Sequence, residues 1–427
     1  MRHLLVGLVL LSSANAFAQR LKMTMDDPNF KPFPIAVADI TDTANGAGKA
    51  IANELTKTLR NDLSLSPAFL LLDAKSYLSN DKDTWKEPRF ADWQNIGASG
   101  LVRGGVTTKD VTFRYFDVVQ QKEVLTKTYN VNSDNARTVA HAFADELTKF
   151  LTGQIGGFST QSAVTMRDKG STDIFVVDFD GAMPHKLTKG GVINLLPAWD
   201  RTGPRLFYTS YQNANPDLFV MDVTTGQSKP LSAQRGLNTG AAVSPDGKRI
   251  ALTLSKDGNS EIYVMNRDGG ELKRLTENWW IDTSPSWSPD GTKIAYVSSK
   301  TGAPHIYTMN ADGTNQQRVT FQGNYNQTPE WSPRGHEIAF TARDERFHFD
   351  IFTVNVDNKE VKRLTQDQGN NEEPSYSPDG RMLVFTSNRG GERKLWIMAM
   401  DGSRQRQIFF GHGDCETPSW SGRFDLQ

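Results

Sequence analysis

Cysteine is nearly absent: Cys415 is the only one in 427 residues. An intramolecular disulfide is excluded, and the thiol lies too far from the N-terminus to carry a lipid anchor. A lone cysteine of this kind reads as a small buried hydrophobe. Charge of one sign is also lacking, since 48 Lys and Arg face 49 Asp and Glu for a formal net charge of −1. Such a chain has no electrostatic footprint for nucleic acid or an anionic membrane. Long apolar runs are missing too. The one candidate, Leu4 to Leu11, falls far short of the ~20 residues that span a bilayer. No Gly-x-Ser-x-Gly nucleophile elbow and no His-Glu-x-x-His zinc motif occur, which argues against hydrolase and metallopeptidase chemistry.

What the N-terminus does have is a leader. Arg2 and His3 precede the apolar stretch, and Ala16-Phe17-Ala18 follows it. A basic start, a short apolar core and an A-x-A ending make residues 1–18 a secretory signal peptide, cut before Gln19. The mature protein is expected outside the cytoplasm, as a monomer that does not span the membrane.

The C-terminal two-thirds is a repeat. One phrase recurs as PAWDRTG, AAVSPDG, PSWSPDG, PEWSPRG, PSYSPDG and PSWSG, centred on Trp199, Val243, Trp287, Trp331, Tyr376 and Trp420. The steps are 44, 44, 44, 45 and 44 residues, and a second column (Ile174, Leu218, Ile262, Ile306, Ile351, Leu395) keeps the same steps. Within a unit, alternating runs such as Lys293 to Ser298 and His305 to Asn310 are separated by Asp-Gly turns. Four such strands per unit predict the blade of a β-propeller. The array starts with a unit lacking its first strand and ends with a first strand alone, so three strands from the start and one from the end complete a sixth blade. Ring closure of this kind leaves no free sheet edge.

Residues 19–156 have another texture. Ile35 to Ile40, Phe69 to Leu72 and Gly100 to Val106 read as strands, and Val111 to Val119 with Val124 to Val131 as a hairpin. Gly46 to Leu63 carries Ile51, Leu55, Leu59 and Leu63 at helical spacing. A second helix is expected to start at a Ser133-Asp134 cap and run to Leu151. The fold class is thus mainly β: a six-bladed propeller at 157–427 preceded by a small α/β domain, a sheet covered by two helices, with Gly153 to Phe158 as the hinge.

The leader, the small domain, the six P-x-W-S-P-D-G phrases and the closing PSWS together resemble the TolB family, periplasmic components of the Tol–Pal system. The resemblance spans the whole mature chain. It implies a protein without enzymatic activity that binds the lipoprotein Pal through one face of the propeller and TolA through its N-terminal end. It also implies a part in outer-membrane integrity and in constriction at cell division, with other outer-membrane proteins as further partners.

Residues just upstream of each central aromatic begin the innermost strands and are expected to ring the mouth of the channel. Five positions before the aromatic stand Asn194, Asn238, Asp282, Asn326, Asn371 and Cys415. Four before stand Leu195, Thr239, Thr283, Gln327, Glu372 and Glu416, and three before stand Leu196, Gly240, Ser284, Thr328, Glu373 and Thr417. The Asn/Asp column has two readings, partner contact or closure of loops on their own backbone. Matching phrase to phrase, the resemblance points to Asn238, Thr239, Gly240 and Thr283 as the Pal-binding positions. The family's His-Asn-Gly-Ala-Pro is here Leu237-Asn238-Thr239-Gly240-Ala241. Glu372, Glu373 and Glu416 are expected to make the mouth negative, favouring a partner surface with Lys or Arg. For TolA, the resemblance selects Gln19, Arg20, Leu21, Lys22, Met23, Thr24 and Met25, which also read as a detachable edge strand.

Rival readings were a peptidase accessory or a propeller that binds a small ligand, which would call for an aromatic-lined mouth; the mouth columns hold no Trp, Tyr or Phe. No cofactor is expected, although Asp178-Phe179-Asp180-Gly181 and the acidic mouth leave room for a calcium ion. His305, His336 and His412 lie in or beside turns and are expected as solvated surface histidines. Trp279, Trp280 and Ile281, between two blades, read either as a hot-spot anchor for a protein partner or as an inter-blade packing plug, and the enrichment of tryptophan at interface centres favours the anchor.

Overall fold

The computed structural model describes residues 30–78, 85–168, 170–409 and 411–423. The leader at 1–18 and the segment Gln19 to Met25 lie outside the described residues.

The small domain is one mixed sheet in the order β3-β1-β4-β5-β6, with β2 pairing β4. Its strands are β1 (Phe33–Val37), β2 (Thr41–Asp42), β3 (Phe69–Leu71), β4 (Gly100–Val106), β5 (Asp110–Asp117) and β6 (Lys122–Asn130). Period-two alternation splits the apolar residues between faces. Ile35 and Val37 join helices α1 (Lys49–Leu65) and α3 (Ala136–Thr152) through Leu55, Leu59, Leu63, Phe143 and Leu147. Ala36 and Ala38 face the other way, against Trp93 of the short helix α2 (Phe90–Asn95). That second face was missed, because a six-residue helix carries too little periodicity to register. The cap of α3 also differs from expectation. Asn135 is the N-cap and makes no side-chain cap bond, while Asn132 Oδ1 accepts the N–H groups of Asp134 (2.8 Å) and Asn135 (3.0 Å) in the preceding turn.

Six four-stranded antiparallel sheets follow, and the sixth joins Asp414–Trp420 to Gln161–Asp168, Ser171–Asp178 and His185–Lys186. Ser419 pairs with Ala163 and Trp420 with Ser162, so the two ends of the chain zip the ring shut. Each blade is numbered here by its innermost strand, from blade 1 (Asn194–Trp199) to blade 6 (Asp414–Trp420).

Register defines two ends. Each innermost strand starts at one face with its Asn or Asp and finishes at the other with its aromatic residue, or with Val243 in blade 2. Among the described residues, the polar contacts of the small domain with the ring lie at the aromatic end. Arg137 of α3 bonds Asp180 (2.7 Å) and Asp178 (3.4 Å), Asn61 donates to Asp180 (2.9 Å), and Arg404 donates to the Phe69 carbonyl (2.9 Å). The Asn end therefore faces away from the small domain.

The stretch from Gly153 to Phe158 is fastened rather than loose. Buried Asp145 accepts the N–H groups of Phe158 (2.9 Å) and Ser159 (3.1 Å), and Arg423 lies 3.5 Å from its carboxylate. Phe158 packs edge-on against Phe179, which leans on Trp420.

Candidate functional site: the mouth facing away from the small domain

The Asn/Asp column turns inward. Asn194, Asn238, Asp282, Asn326, Asn371 and Cys415 are all buried, which takes their side chains out of reach of a partner. Asn238 Nδ2 donates to the carbonyls of Gln234 (2.7 Å) and Gly236 (3.0 Å), while its Oδ1 accepts from Ser232 Oγ (2.7 Å) and the Gln234 N–H (2.9 Å). Asn194 donates to the Val192 carbonyl (3.2 Å) and Asn326 to that of Gln322 (3.2 Å). Asp282 accepts from Asn278 Nδ2 (2.8 Å), and burial pushes its carboxyl up. An amide that can both donate and accept is well suited to tie a loop to a strand. Those side chains hold the loops; they do not present themselves, which corrects their assignment as contact residues. Cys415 takes the same place in blade 6, where burial pushes its thiol up to about 12.

One position further along, Leu195, Thr239, Thr283, Gln327 and Glu416 are half-buried at the opening. The next position departs from ordinary strand geometry in every blade. Leu196, Gly240, Ser284, Thr328, Glu373 and Thr417 all have left-handed backbone, with φ between 50° and 62°. Each marks a β-bulge, because the pairing register shifts there in all six innermost strands. A left-handed Thr is costly and persists only where its surroundings hold it. Second-strand threonines supply that hold. Thr253 Oγ1 accepts the Ser284 N–H (3.2 Å) from the next blade, and Thr341 Oγ1 accepts that of Glu373 (2.9 Å). The threonine column (Thr165, Thr209, Thr253, Thr341, Thr386, with Val297 in blade 3) was visible in the sequence; the bulge it props was not.

Negative charge at the mouth is less than the carboxylate count implies. Arg393 reaches Glu372 (2.9 Å) and Glu416 (3.6 Å), and Arg167 lies 3.5 Å from Glu416. Burial raises the Glu372 carboxyl. Burial, with Glu372 and Glu416 beside it, pushes Glu373 up to about 7. Glu373 accepts from the Thr417 N–H (2.5 Å) and Thr386 Oγ1 (3.3 Å), which makes it a brace between blades. The mouth is mixed in charge, not acidic.

Apolar side chains crowd the surrounding loops. Ile193, Leu196, Tyr211, Leu237, Trp279, Trp280, Ile281, Phe321 and Phe347 are exposed there, against Leu70, Leu78, Val119, Ile155 and Met183 over the rest of the described residues. Trp279 is 97% exposed and Trp280 48%, so the pair of tryptophans is no inter-blade plug. Nine exposed apolar residues on one face exceed the scatter of single ones that a soluble surface normally shows.

At the aromatic end the channel widens into a chamber of about 450 Å³ lined by Trp199, Trp287, Trp331 and inner-strand prolines. Arg201 of blade 1 crosses it to Glu330 of blade 4 (2.8 Å) and to the Tyr376 carbonyl (3.0 Å). Opposite blades are thereby tied across the axis.

Two further expectations change. His305 is buried, with Arg318 Nη2 2.8 Å from its Nε2 and Asn326 Nδ2 2.8 Å from its Nδ1. Burial and Arg318 hold its pKa down. It stands in a column of buried acids (Asp173, Asp217, Glu261, Asp350) that precede the Ile/Leu column; Asp173, Glu261 and Asp350 pair with the outer-strand cations Lys186, Arg274 and Arg363, and Asp217 accepts from Asn213 and Asn215. His336 and His412 are exposed. The Asp178/Asp180 loop gathers near His141, but Arg137 bonds both of its carboxylates.

A family model described as the TolB beta propeller domain matches residues 148–424, and one described as the TolB amino-terminal domain matches residues 21–124. Among curated relatives, the Tol-Pal system protein TolB of Anaeromyxobacter dehalogenans (strain 2CP-1 / ATCC BAA-258) is 40% identical over 212 residues, 48% of each chain. That of Myxococcus xanthus (strain DK1622) is 41% identical over 224 residues, 51% of each chain. The chain spans about half the length of the curated relatives it matches. The crystal structure of TolB from Acinetobacter baumannii superposes with a TM-score of 0.81 at 27% identity, covering 92% of this chain and 97% of that one.

Proposed function

The chain belongs to the TolB family, and from that membership we propose that it is a Tol–Pal system protein of the periplasm that docks partners and performs no chemistry. The mouth facing away from the small domain takes a protein partner, Pal by the family resemblance, and Gln19 to Met25 serves TolA. Outer-membrane integrity and constriction at division are the processes it serves, and no cofactor enters the mechanism.

The observation that carries this reading is the apolar surround of the mouth. A rigid ring presents exposed Trp279, Trp280, Ile281 and Leu237 beside half-buried Thr239, Thr283 and Gln327. Aromatic anchors next to adaptable polar groups are the composition of a protein–protein hot spot. Bulged backbone positions aim side chains into the opening without lengthening the blades. Glu416, half-buried and paired with Arg393 and Arg167, can exchange a partner for a lysine or arginine of the incoming protein.

Titration of the purified periplasmic domain of Pal against the mature chain tests the reading. Replacing Trp279 and Trp280 with Ala is expected to weaken binding by about 30-fold or more, the ~2 kcal/mol of a hot spot, with no change in melting temperature. Unchanged affinity would place the Pal site elsewhere. Removal of Gln19 to Met25 should abolish TolA binding, and a simultaneous shift in Pal affinity would mean that the two sites are coupled.

A further inference from the structure

Blade 4 breaks the repeat at its outer edge. Its third-strand isoleucine comes 45 residues after that of blade 3 instead of 44, and its second and third strands run seven residues each where those of blades 2 and 3 run six. In blades 2, 3 and 5 the residue after the second strand is Ser255, Ser299 or Asn388. Its side-chain oxygen accepts a loop N–H, from Leu237 (2.9 Å), Ile281 (3.0 Å) and Asn370 (2.7 Å) respectively. Blade 4 has Arg343 in that position, which can accept nothing.

The next position departs as well. Lys256, Lys300 and Arg389 lie over the third-strand rings of Tyr263, Tyr307 and Trp396 at 5.3, 4.1 and 4.1 Å. In blade 4 the matching residue is Asp344, which pairs with Arg363 (2.9 Å) and leaves the crevice above Phe352 uncovered from that side. A cavity of about 460 Å³ opens there, within the ~300–1,000 Å³ usual for small-molecule sites.

We propose that this lateral crevice of blade 4 binds a small organic monocarboxylate with a flat apolar body. Arg343 supplies the anion contact. Its guanidinium lies 5.2 Å from the Tyr325 ring centroid and 5.3 Å from that of Phe347, and its Nη2 donates to Asn324 Oδ1 (3.3 Å). Its Nε is buried without a hydrogen-bond partner, and no carboxylate among the described residues pairs with it. The nearby acids Asp344 and Asp350 are already held by Arg363. A planar fork of N–H donors backed by aromatic rings matches a carboxylate attached to a flat group. Phe347, 72% exposed at the rim, offers the stacking face, and Phe340 and Phe352 floor the crevice. Exposed Glu345 at the edge disfavours a second negative charge. The crevice opens outward from the mouth on the same face, and Phe347 belongs both to it and to the mouth's apolar surround.

Phenylacetate is the probe, titrated into the mature protein by calorimetry or ligand-observed NMR, with 2-phenylethanol and inorganic phosphate as comparisons. Phenylacetate is expected to saturate near about 1 mM, with the uncharged alcohol and phosphate each about 10-fold weaker or worse. Arg343→Ser, which installs the residue of blades 2 and 3, should lose about 10-fold or more while keeping the melting temperature; a charged hydrogen bond of that size is lost. Phe347→Ala should weaken binding a few-fold. The proposal is overturned by absence of saturation, by equal binding of the alcohol or of phosphate, or by unchanged affinity in Arg343→Ser. Should Arg343→Ser fail to fold, the ligand comparison in the unaltered protein and Phe347→Ala decide the matter.

Discussion

The two ends of the propeller are made from the same six repeats and obey different rules. At the end against the small domain blades 2, 3 and 5 agree. Ser244, Ser288 and Ser377 each donate to the Asp two residues on (2.5, 2.6 and 2.6 Å), closing the same tight turn before the second strand. At the opposite mouth the backbone repeats, bulge for bulge, while the side chains do not: Leu195, Thr239, Thr283, Gln327, Glu372 and Glu416 share a position and little else. Repetition at one end and divergence at the other separate what the ring needs for closure from what an asymmetric partner needs for recognition. Burial follows the same division. The small-domain end is sealed by buried ion pairs, and the far end leaves tryptophan in water.

The largest effect that tests this contrast lies at the sealed end. Arg137 bonds Asp178, Asp180 and Glu54 with a side chain only 16% exposed. Arg137→Ala leaves the Asp180 carboxylate, which is 5% exposed, without its cation. Breaking such a pair costs about 3 kcal/mol, readable as a lower urea midpoint. Affinity for a partner at the far mouth should not change. A parallel loss there would mean that the two ends act as one unit.

Smaller, and of opposite sign to common acid denaturation, is a pH effect. Burial pushes Asp62 up to about 6, and the Asp62 carboxylate, 2.7 Å from His141 Nδ1, raises the imidazole against the pull of its own burial. Glu373 is pushed up to about 7 by burial. All three groups bind protons more tightly folded than unfolded. Their stabilisation is complete below the unfolded pKa values and fades as pH rises through about 6 for Asp62, about 7 for Glu373 and above the ordinary imidazole value for His141. Melting temperature is expected to fall from pH 5 to pH 8. Glu373→Gln should flatten the mouth's share and His141→Gln the interface's share, so the two ends can be titrated apart. A melting temperature that climbs over that range would contradict the assignment.

The sequence made the ring legible because blade strands alternate with a fixed period and each turn carries its own Gly or Asp. It hid the site for the same reason. Asn238 and Asp282 looked like rim residues by position, yet a short amide or carboxylate at a strand start finds its partners in its own loop and is buried. The bulges could not be read, since Leu196, Thr328 and Thr417 are poor candidates for left-handed backbone by residue type. Only hydroxyls on neighbouring strands make them tolerable, and such pairing is tertiary. His305 misled as well, because a histidine beside a turn looks solvated until the buried-acid column it belongs to is recognised. Trp279 and Trp280 stood out in the sequence because nothing in the repeat requires them, and both are exposed.

Gly240 offers the smallest test, and the one that bears most directly on the bulge. Its φ of 62° matches that of Leu196 (54°), Ser284 (55°) and Glu373 (61°) in the same column, so the fold has already forced larger residues into that conformation. A Cβ at Gly240 would meet nothing closer than 3.7 Å. Gly240→Ser therefore carries only the left-handed penalty, about 1 kcal/mol, offset in part by the entropy that glycine loses on folding. A net loss below about 1 kcal/mol in chemical denaturation is the expected result. Partner affinity is expected to move more than stability, because the bulge carries Thr239 beside it. Should stability instead fall by several times that amount, the column would not be equivalent across blades, and the mouth could not be treated as one backbone ring bearing six different side chains.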